Sequence, residues 1–298
     1  MGRATHVGAP TPQATRKGKP PWRHTLRVLT RNRLVLAGIA IAVLMLFAAI
    51  FAGLIAPYDP VAQQASDSLH SPSWQHWFGT DRFGRDVLSR TIYGSRISMW
   101  VGFASVSIAV SVGTLLGLAS GYFGGWVDNV ISRIMDVFFS FPAMLLAIAI
   151  AAMLGPGMNN ALLAIAIVYS PLFSRVVRGP VLAERNKEYI DAARMIGASN
   201  LRLVGLHLLP NVLPPIIVQA SVTLSHAILM ESYVSFLGLG TQPPQASWGS
   251  MLNEGRAFLE AAPWISVFPG VAVMLAVLAF NLLGDGLRDV LDPRLRSV

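Results

Sequence analysis

The stretch LVLAGIAIAVLMLFAAIFAGLIA, residues 34–56, is an unbroken run of 23 apolar or small residues. At about 1.5 Å per residue, a helix of this length crosses the ~30 Å hydrocarbon core of a bilayer. The apolar core of a signal peptide is shorter, roughly 7–15 residues, and precedes a small-residue cleavage site. The run therefore predicts a transmembrane helix that is retained.

Five further apolar segments of similar length follow, at residues 97–120, 131–154, 160–178, 211–235 and 264–286. Such runs favour helices, because the strands of membrane barrels alternate apolar and polar residues. Only 13% of the 298 residues are charged and 53% are hydrophobic, whereas soluble domains carry about a quarter charged residues. The sequence thus predicts an all-α integral membrane protein with six transmembrane helices.

The basic residues are distributed unevenly between the predicted loops. If the N-terminus lies inside the cell, 18 of the 23 Lys and Arg residues fall on the inner side and 5 on the outer side. Basic loops are typical of the cytoplasmic side of a membrane protein. We therefore expect both termini in the cytoplasm, and the net charge of +8 is explained without a nucleic-acid partner.

These patterns divide the chain into four parts. Residues 1–33 are rich in Pro, Gly and basic side chains, which predicts a disordered tail followed by a segment at the membrane surface. Residues 34–96 comprise the first helix and an extracytoplasmic segment. Residues 97–287 form a transmembrane core, and residues 288–298 form a cytoplasmic tail.

The predicted cytoplasmic loop between helices 4 and 5 contains ERNKEYIDAARMIGASNLRLVGLHLLPN, residues 184–211. Its residues Tyr189, Ala192, Ala193 and Ile196 follow helical spacing and predict a short amphipathic helix. Gly197 comes directly after them, where a helix commonly ends in a left-handed cap. The periodicity alone equally allows a pair of helices lying on the inner leaflet.

A second, more apolar helix is predicted after this turn. Ser199 or Asn200 can cap its N-terminus, and Pro210 is expected to break it before helix 5.

The spacing in this loop resembles the EAA loop of ABC-importer permeases. That loop has the pattern EAA, three residues, Gly, nine residues and I-x-L-P; here Asp replaces the Glu and His replaces the Ile. The resemblance implies a coupling helix that docks into a groove of an ATPase subunit. It implicates Glu188, Tyr189, Asp191, Ala192, Ala193, Ile196, Gly197, Ala198, His207, Leu209 and Pro210.

Two further stretches narrow the resemblance. FGTDRFGRDVLSRTIYGSRISMWVG, residues 78–102, and SFLGLGTQPPQASWGSMLNEGR, residues 235–256, are similar to the C-type permeases of the dipeptide, oligopeptide and nickel importers. The resemblance implies a multi-pass protein of the bacterial cytoplasmic membrane that forms half of a peptide pathway. It also implies a second, distinct permease (a heterodimer), two ABC ATPase subunits and an extracytoplasmic solute-binding protein.

Two alternatives to peptide import stay open at this point. The first is an importer of nickel complexes or other small solutes. The second is a self-sufficient secondary transporter, although such proteins use acidic or histidine relays at the membrane midplane, and these segments contain few such residues.

The sequence lacks the groups that ATP hydrolysis requires. A P-loop needs G-x-x-x-x-G-K-[ST], and none of the three lysines, Lys17, Lys19 and Lys187, stands in such a run. The chain contains no cysteine and shows no metal-ligand spacing. We therefore expect a transport subunit without an enzymatic site, a metal or a cofactor.

Few polar side chains lie within the predicted helices. Glu231 and His226 in helix 5 are candidates for a pathway or gating role, because charged and polar groups within membrane spans are costly and often functional. The alternatives are that Glu231 reaches interfacial water or pairs with an arginine, and that His226 is a hydrogen-bonded interior residue.

A dense group of charges stands before helix 2 on the predicted outer side: Asp81, Arg82, Arg85 and Asp86. One interpretation is a surface that receives the solute-binding protein. The other is a solvated loop with internal ion pairs, each worth about 0–1 kcal/mol.

Overall fold

The computed structural model describes residues 32–291. Within them the chain is helical, with one isolated bridge between Thr80 and Asp86 in place of any strand. Most of the predicted segment 1–33 and residues 292–298 of the predicted C-terminal tail lie outside the described residues. The helices are α1 Arg33–Ile50, α2 Ala52–Ile55, α3 Val87–Phe123, α4 Gly125–Phe139, α5 Ala143–Leu154, α6 Met158–Glu184, α7 Glu188–Met195, α8 Asn200–Arg202, α9 Leu209–Phe236, α10 Trp248–Gly255 and α11 Trp264–Leu291.

Five helical stretches are long and apolar enough to cross a membrane. They are α1, α3, α6, the continuous stretch from α8 through α9, and α11. Together α4 and α5 have the composition of a sixth span, but they are bent by 93° where they meet. The prediction of an all-α membrane protein is therefore confirmed, with five spans or, if the bent pair counts as one, six.

The predicted segment 131–154 is not one continuous helix. Helix α4 ends at Phe139, Ser140 and Phe141 form a turn, and α5 begins after Pro142. A proline disfavours the helical conformation in the residue before it, so Phe141 cannot continue α4 without strain. Pro142, in contrast, is compatible with the start of a new helix.

Helix α3 begins ten residues earlier than the predicted segment 97–120. The carboxylate of Asp86 accepts a hydrogen bond from the backbone N–H of Ser89 at 2.7 Å, which caps the helix N-terminus. With 37 residues, α3 is about 55 Å long, longer than a bilayer core. Its first turns therefore extend into the segment formed by residues 57–86.

A glycine seam on α3 packs against α6. Cβ atoms added at Gly113, Gly117 and Gly121 would approach Phe173, Val177 and Val181 respectively within 2.5–2.7 Å. Small residues allow this close approach of two helices. Because the residue numbers rise together on both helices, α3 and α6 run parallel, and α4 and α5 lead back from the end of α3 to the start of α6.

Helix α9 occupies the centre of the bundle and packs against α3, α6 and α11. Helix α1 covers α11 and α3 from one side. Its last carbonyls, those of Ala49 and Ile50, each accept a hydrogen bond from the Arg96 guanidinium at 3.0 Å. These bonds fix the first helix to the rest of the bundle.

Candidate functional site

The connection between α6 and α9, residues 185–208, contains the short amphipathic helix predicted from the sequence. This helix, α7, ends at the left-handed glycine that the sequence predicts, with Gly197 at φ +86°. The N–H of Gly197 bonds to the Arg194 carbonyl at 2.9 Å, and the N–H of Ala198 bonds to the Ala193 carbonyl at 3.0 Å. The two bonds form a Schellman cap, which turns the chain sharply back toward the membrane helices.

A second helix follows this cap, as predicted. The Ser199 hydroxyl accepts a hydrogen bond from the N–H of Arg202 at 3.4 Å and so caps α8. The prediction that Pro210 breaks this helix is wrong, because the helical path continues to Phe236. A π-helical turn over Leu203–Leu208 widens the backbone just ahead of the proline, where its ring would otherwise crowd the carbonyl of Leu206.

The side of the connection that faces the helix bundle packs into an apolar cluster. Ile190, Leu203 and Leu208 are fully buried there against Val181 of α6 and Val212 of α9. Ala193 and Ala198 pack at the edge of the cluster, so Ala193 of the predicted stripe contacts the rest of the connection. Ile190 does not belong to the stripe that the spacing predicts, and only its apolar side chain in a short polar helix could have indicated its burial.

The side of the connection that faces away from the helix bundle exposes an apolar tip, which we define as Met195, Ile196 and Leu201. Their exposed fractions are 88%, 87% and 86%. Ala192 is exposed beside them, so the predicted stripe divides between a packed side and an open side. Contiguous exposed apolar surface on a protein typically marks a contact with a partner or a membrane.

A hydrogen-bonded cluster ties α7 to the ends of two long helices. The Tyr189 hydroxyl donates to the Glu184 carboxylate at 2.6 Å, and the Asn211 amide donates to the Tyr189 hydroxyl at 3.1 Å. Lys187 forms an ion pair with the same carboxylate at 2.7 Å. Partial burial and the hydrogen bond to Glu184 raise the pKa of Tyr189 to about 12, so the phenol keeps the proton that it donates.

A second set of hydrogen bonds ties the connection to α3. The Tyr122 hydroxyl donates to the side-chain carbonyl of Asn200 at 2.6 Å. Arg185 donates to the carbonyls of Gly121 and Tyr122 at 2.8 and 3.1 Å, which satisfies the C-terminus of α3. The connection is therefore bound to α3, α6 and α9 simultaneously.

The remaining loop residues from the sequence prediction make weaker contacts. Asp191 pairs with Arg194 at 3.3 Å, with both side chains largely exposed, and such surface pairs contribute little stability. Glu188 lies exposed in the first turn of α7. The His207 ring meets the Tyr189 ring edge-on at 6.2 Å, Leu209 is half-buried and Pro210 is exposed.

The charged group before α3 is not the solvated loop that one interpretation predicts. Asp81, Arg85 and Asp86 are at most 4% exposed, and Arg90 is buried with them. Arg85 pairs with Asp81 at 2.6 Å and with Glu254 of α10 at 2.6 Å, and Arg90 pairs with Glu254 at 3.0 Å. The four charges join residues 81–90 to α10. Arg85 and Glu254, which form one of these pairs, are 169 positions apart in the sequence.

Asp86 and Arg82 have different environments. Besides capping α3, the Asp86 carboxylate accepts a hydrogen bond from the ring Nδ1–H of His76 at 3.0 Å, and the pair is shielded from solvent. Arg82 is exposed. Of the four predicted docking residues, Arg82 is thus the one whose side chain can meet another protein directly.

The two polar candidates on α9 have opposite environments. Glu231 is 1% exposed and accepts a hydrogen bond from Ser235 at 2.7 Å, with Ser98 and Ser247 close to the carboxyl. The alternative in which it reaches water or pairs with an arginine is wrong, because serine hydroxyls surround it. His226 is exposed, so its prediction as an interior residue is wrong as well.

Two family models match this chain. The model described as "binding-protein-dependent transport system inner membrane component" matches residues 113–297. The model of the N-terminal transmembrane domain of oligopeptide transport permease C matches residues 20–72. Together they cover the first helix and most of the bundle, but not residues 73–112, which include the first part of α3.

Several curated proteins are similar over nearly the whole chain. The dipeptide transport system permease protein DppC of Alkalihalophilus pseudofirmus is 47% identical over 289 residues, 97% of this chain and 95% of that protein. The glutathione transport system permease protein GsiD of Escherichia coli is 46% identical over 280 residues, 94% of this chain and 92% of that protein. The similarity therefore includes both the α6–α9 connection and the charged segment before α3.

A solved structure shares the fold. The methionine ABC transporter MetNI in inward-facing conformations contains a chain that superposes with a TM-score of 0.55 at 20% identity, covering 68% of this chain and 97% of that one. At this identity the likeness concerns the fold alone.

Proposed function

Because this chain belongs to the family of binding-protein-dependent transport system inner membrane components, we propose that it forms half of the membrane pathway of an ATP-driven importer of short peptides. The similar proteins are named as permeases for dipeptides and for glutathione, which is itself a tripeptide. Di- or oligopeptides are therefore the substrate class that the relatives favour. A nickel complex or another small solute is the alternative that the family resemblance left open.

The exposed apolar tip on the α6–α9 connection carries this proposal. Burying one large apolar side chain stabilises a contact by roughly 1.5–3 kcal/mol, so Met195, Ile196 and Leu201 offer substantial docking energy to a partner. The sequence contains no P-loop, so ATP hydrolysis has to be supplied by another subunit. We infer that the partner at the tip is this ABC ATPase subunit, with one such subunit for each of two permeases.

The hydrogen bonds around Tyr189 and Tyr122 supply the route from the ATPase to the membrane helices. A movement of α7 pulls on Glu184 at the end of α6 and on Asn211 near the start of α9. Binding of ATP by the partners has to favour one packing of these helices by a few kcal/mol to shift the population between inward-open and outward-open states. The connection is hydrogen-bonded to α3, α6 and α9, so a movement of α7 can shift all three helices together.

We further propose six membrane crossings with both termini in the cytoplasm. Since α3 and α6 run parallel, the chain between them returns from one end of the bundle to the other, and the bent pair α4–α5 is the segment that makes this crossing. The excess of Lys and Arg supports the inward orientation of the α6–α9 connection. The division into a first helix, a core over residues 97–287 and flanking tails is part of the same proposal.

On the outer side, a solute-binding protein would deliver the peptide. Arg82 offers an exposed charge for that contact, whereas the buried network around Arg85 holds the surface in shape. The second permease is proposed to be a related but distinct chain. The family resemblance supports this heterodimer.

The proposal is tested by comparing Ile196→Glu with Asn186→Glu in a pull-down from detergent-solubilised native membranes. Both residues are exposed on the same connection, but only Ile196 belongs to the apolar tip. We expect a P-loop ATPase and a second permease to copurify with the Asn186→Glu chain, and the ATPase to be lost with Ile196→Glu.

Two results would contradict the proposal. One is equal recovery of the ATPase with both variants. The other is peptide uptake by the purified chain alone in vesicles without ATP, which would support the self-sufficient transporter.

A further inference from the structure

Four polar side chains recur along one face of α9. They are Asn211, Gln219, His226 and Tyr233, at spacings of eight, seven and seven residues. At about 100° per residue they fall within an arc of about 80°. From first to last the stripe extends about 33 Å, close to the thickness of the hydrocarbon core.

This face is only partly covered by the rest of the described chain: the Asn211 amide donates to Tyr189 of α7, and Gln219 borders a cleft with α11. Asn211, His226 and Tyr233 are exposed, and Gln219 is partly exposed. Residues on the other faces of the outer half of α9, such as Thr223, Ala227 and Val234, are completely buried. In this half of α9 the polar stripe is therefore the open side.

A cleft lies on the same face in the inner half of the helix. It has a volume of about 580 Å³ and is bordered by Asn211, Gln219 and the residues Asp285 and Arg288 of α11. This volume lies within the range of about 300–1,000 Å³ that is typical of small-molecule sites. His226 and Tyr233 continue the polar lining beyond the cleft toward the other end of α9.

Two prolines increase the polarity of this cleft. Pro214 and Pro215 lie inside α9 and border the cleft. Because proline has no N–H, the carbonyls of Pro210 and Asn211 lose their helical hydrogen-bond donors. Backbone carbonyls without a partner are tolerated at membrane depth only where they face protein or a water-filled cavity.

The opposite face of the same helix has a different character. Leu213 and Ile217 are 42% and 44% exposed and lie roughly 160–200° from the stripe. Apolar side chains of this kind suit contact with lipid, whereas two carboxamides, an imidazole and a phenol do not. The two exposed faces of α9 therefore meet different surroundings.

We propose that the stripe Asn211–Gln219–His226–Tyr233 lines the solute path. Gln219, His226 and Tyr233 hydrogen-bond in turn to the backbone amides of a passing peptide, whereas the amide of Asn211 is held by Tyr189 and His207. This inference rests on the proposed import function and names the surface that performs it. None of the four residues is Asp, Glu, Lys or Arg. Beyond the cleft, where Asp285 and Arg288 lie, the stripe therefore offers donors and acceptors without the strong ion pairs that would hold a charged side chain in place.

The absence of cysteine from the sequence makes the stripe testable by single substitutions. Gln219→Cys and His226→Cys would be compared with Ile217→Cys in the assembled transporter in vesicles, using a membrane-impermeant thiosulfonate reagent present on both sides. We expect the two stripe positions to react at least about tenfold faster than Ile217→Cys, because lipid excludes a charged reagent. A transported dipeptide, added with binding protein and ATP, should slow labelling of the stripe only.

Two outcomes would overturn the inference. One is labelling of Gln219→Cys and His226→Cys as slow as that of Ile217→Cys. The other is a cross-link from His226→Cys to the second permease in both nucleotide-free and ATP-trapped states, which would make the stripe a permanent subunit interface. ATP-dependent peptide uptake by the transporter that contains the unsubstituted chain, measured in the same kind of vesicles, separates either outcome from failure of the import function itself.

Discussion

Asn211 donates a hydrogen bond to the hydroxyl of Tyr189 across 3.1 Å, and thereby joins the central membrane helix to the short helix α7. The same amide donates to the His207 carbonyl of its own helical path at 2.7 Å, which fixes its orientation. Tyr189 in turn donates to Glu184 at the end of α6. A displacement of α7 is therefore shared between two membrane helices through one phenol.

Replacing Tyr189 with phenylalanine should weaken this linkage without emptying the space that the ring occupies. Two hydrogen bonds are lost, each worth about 1 kcal/mol, and the Asn211 amide loses one acceptor. We expect the amount of peptide transported per ATP hydrolysed to fall about fivefold or more, while ATP hydrolysis continues. The measurement is the ratio of uptake to phosphate release in vesicles containing the assembled transporter.

Tyr58→Phe is the matched control for this prediction. The Tyr58 hydroxyl also makes a side-chain hydrogen bond, to the carbonyl of Gln75 at 2.8 Å, but it lies in the segment before α3, far from the α6–α9 connection. We expect its uptake-to-hydrolysis ratio to equal that of the wild type. An unchanged ratio in Tyr189→Phe would show that the phenol does not transmit the movement of α7.

Local sequence patterns predicted the elements that depend on neighbouring residues. The five continuous spans follow from apolar runs, and the end of α7 follows from a glycine after the last apolar position. The bend between α4 and α5 was also encoded locally, by Pro142, but the apolar character on both sides of it favoured one helix. The continuation of α8 into α9 was missed because a π-turn accommodates Pro210, and its position has no simple sequence signal.

Side-chain environments that depend on distant residues were not predictable in the same way. Asp81 and Arg85 look like solvated charges until Glu254 on α10 is placed beside them. His226 and Glu231 are five residues apart on one helix, so their opposite burial is decided by which neighbours cover each face. Hydrophobic periodicity in α9 gives little guidance, because apolar residues face both protein and lipid.

The glycine seam between α3 and α6 should tolerate no added methyl group. A Cβ at Gly117 would lie 2.6 Å from the Ser174 carbonyl oxygen and 2.7 Å from the Cβ of Val177. We expect Gly117→Ala to destabilise the bundle by about 1–3 kcal/mol, the usual cost of overpacking. The measurement is the thermal unfolding midpoint of the purified protein in detergent.

Gly270→Ala provides the control with the opposite sign. Gly270 lies within α11, and the nearest neighbour of an added Cβ there would be Leu252 Cδ2 at 3.7 Å, an ordinary van der Waals contact. Because alanine is favoured over glycine inside a helix by up to about 1 kcal/mol, its unfolding midpoint should stay the same or rise. Equal losses in both variants would contradict the close packing at Gly117.

The buried charge network should be sensitive to the loss of one member. Arg85→Met leaves the carboxylates of Asp81 and Glu254 with Arg90, whose Nε lies 3.6 Å from Asp81. Removing one partner from a buried pair typically costs about 3–5 kcal/mol, so the unfolding midpoint should fall markedly.

Arg175→Met is the matched control. It breaks the ion pair between Arg175 and Asp136, two side chains that are each 59% exposed, and should cost less than about 1 kcal/mol. Similar midpoints for the two variants would contradict a stabilising role of the buried network.

The turn after α7 should depend on glycine at position 197. Gly197 adopts φ +86°, and its N–H bonds to the Arg194 carbonyl. Proline can reproduce neither feature, because its ring fixes φ near about −65° and it has no N–H. In Gly197→Pro we therefore expect the apolar tip to lose its fixed position, so that transport is abolished while membrane insertion continues. Gly197→Ala keeps the N–H and pays only about 1–2 kcal/mol for the left-handed conformation, so it should retain part of the activity.

The order of the two position-197 variants distinguishes cap geometry from folding. Peptide uptake and the amount of chain in the membrane are measured together for wild type, Gly197→Ala and Gly197→Pro. A graded loss of uptake at constant membrane content would tie coupling to the conformation of the cap. Loss of the chain from the membrane in Gly197→Pro would instead assign the cap to folding, and full uptake in Gly197→Pro would show that the position of the tip does not limit transport.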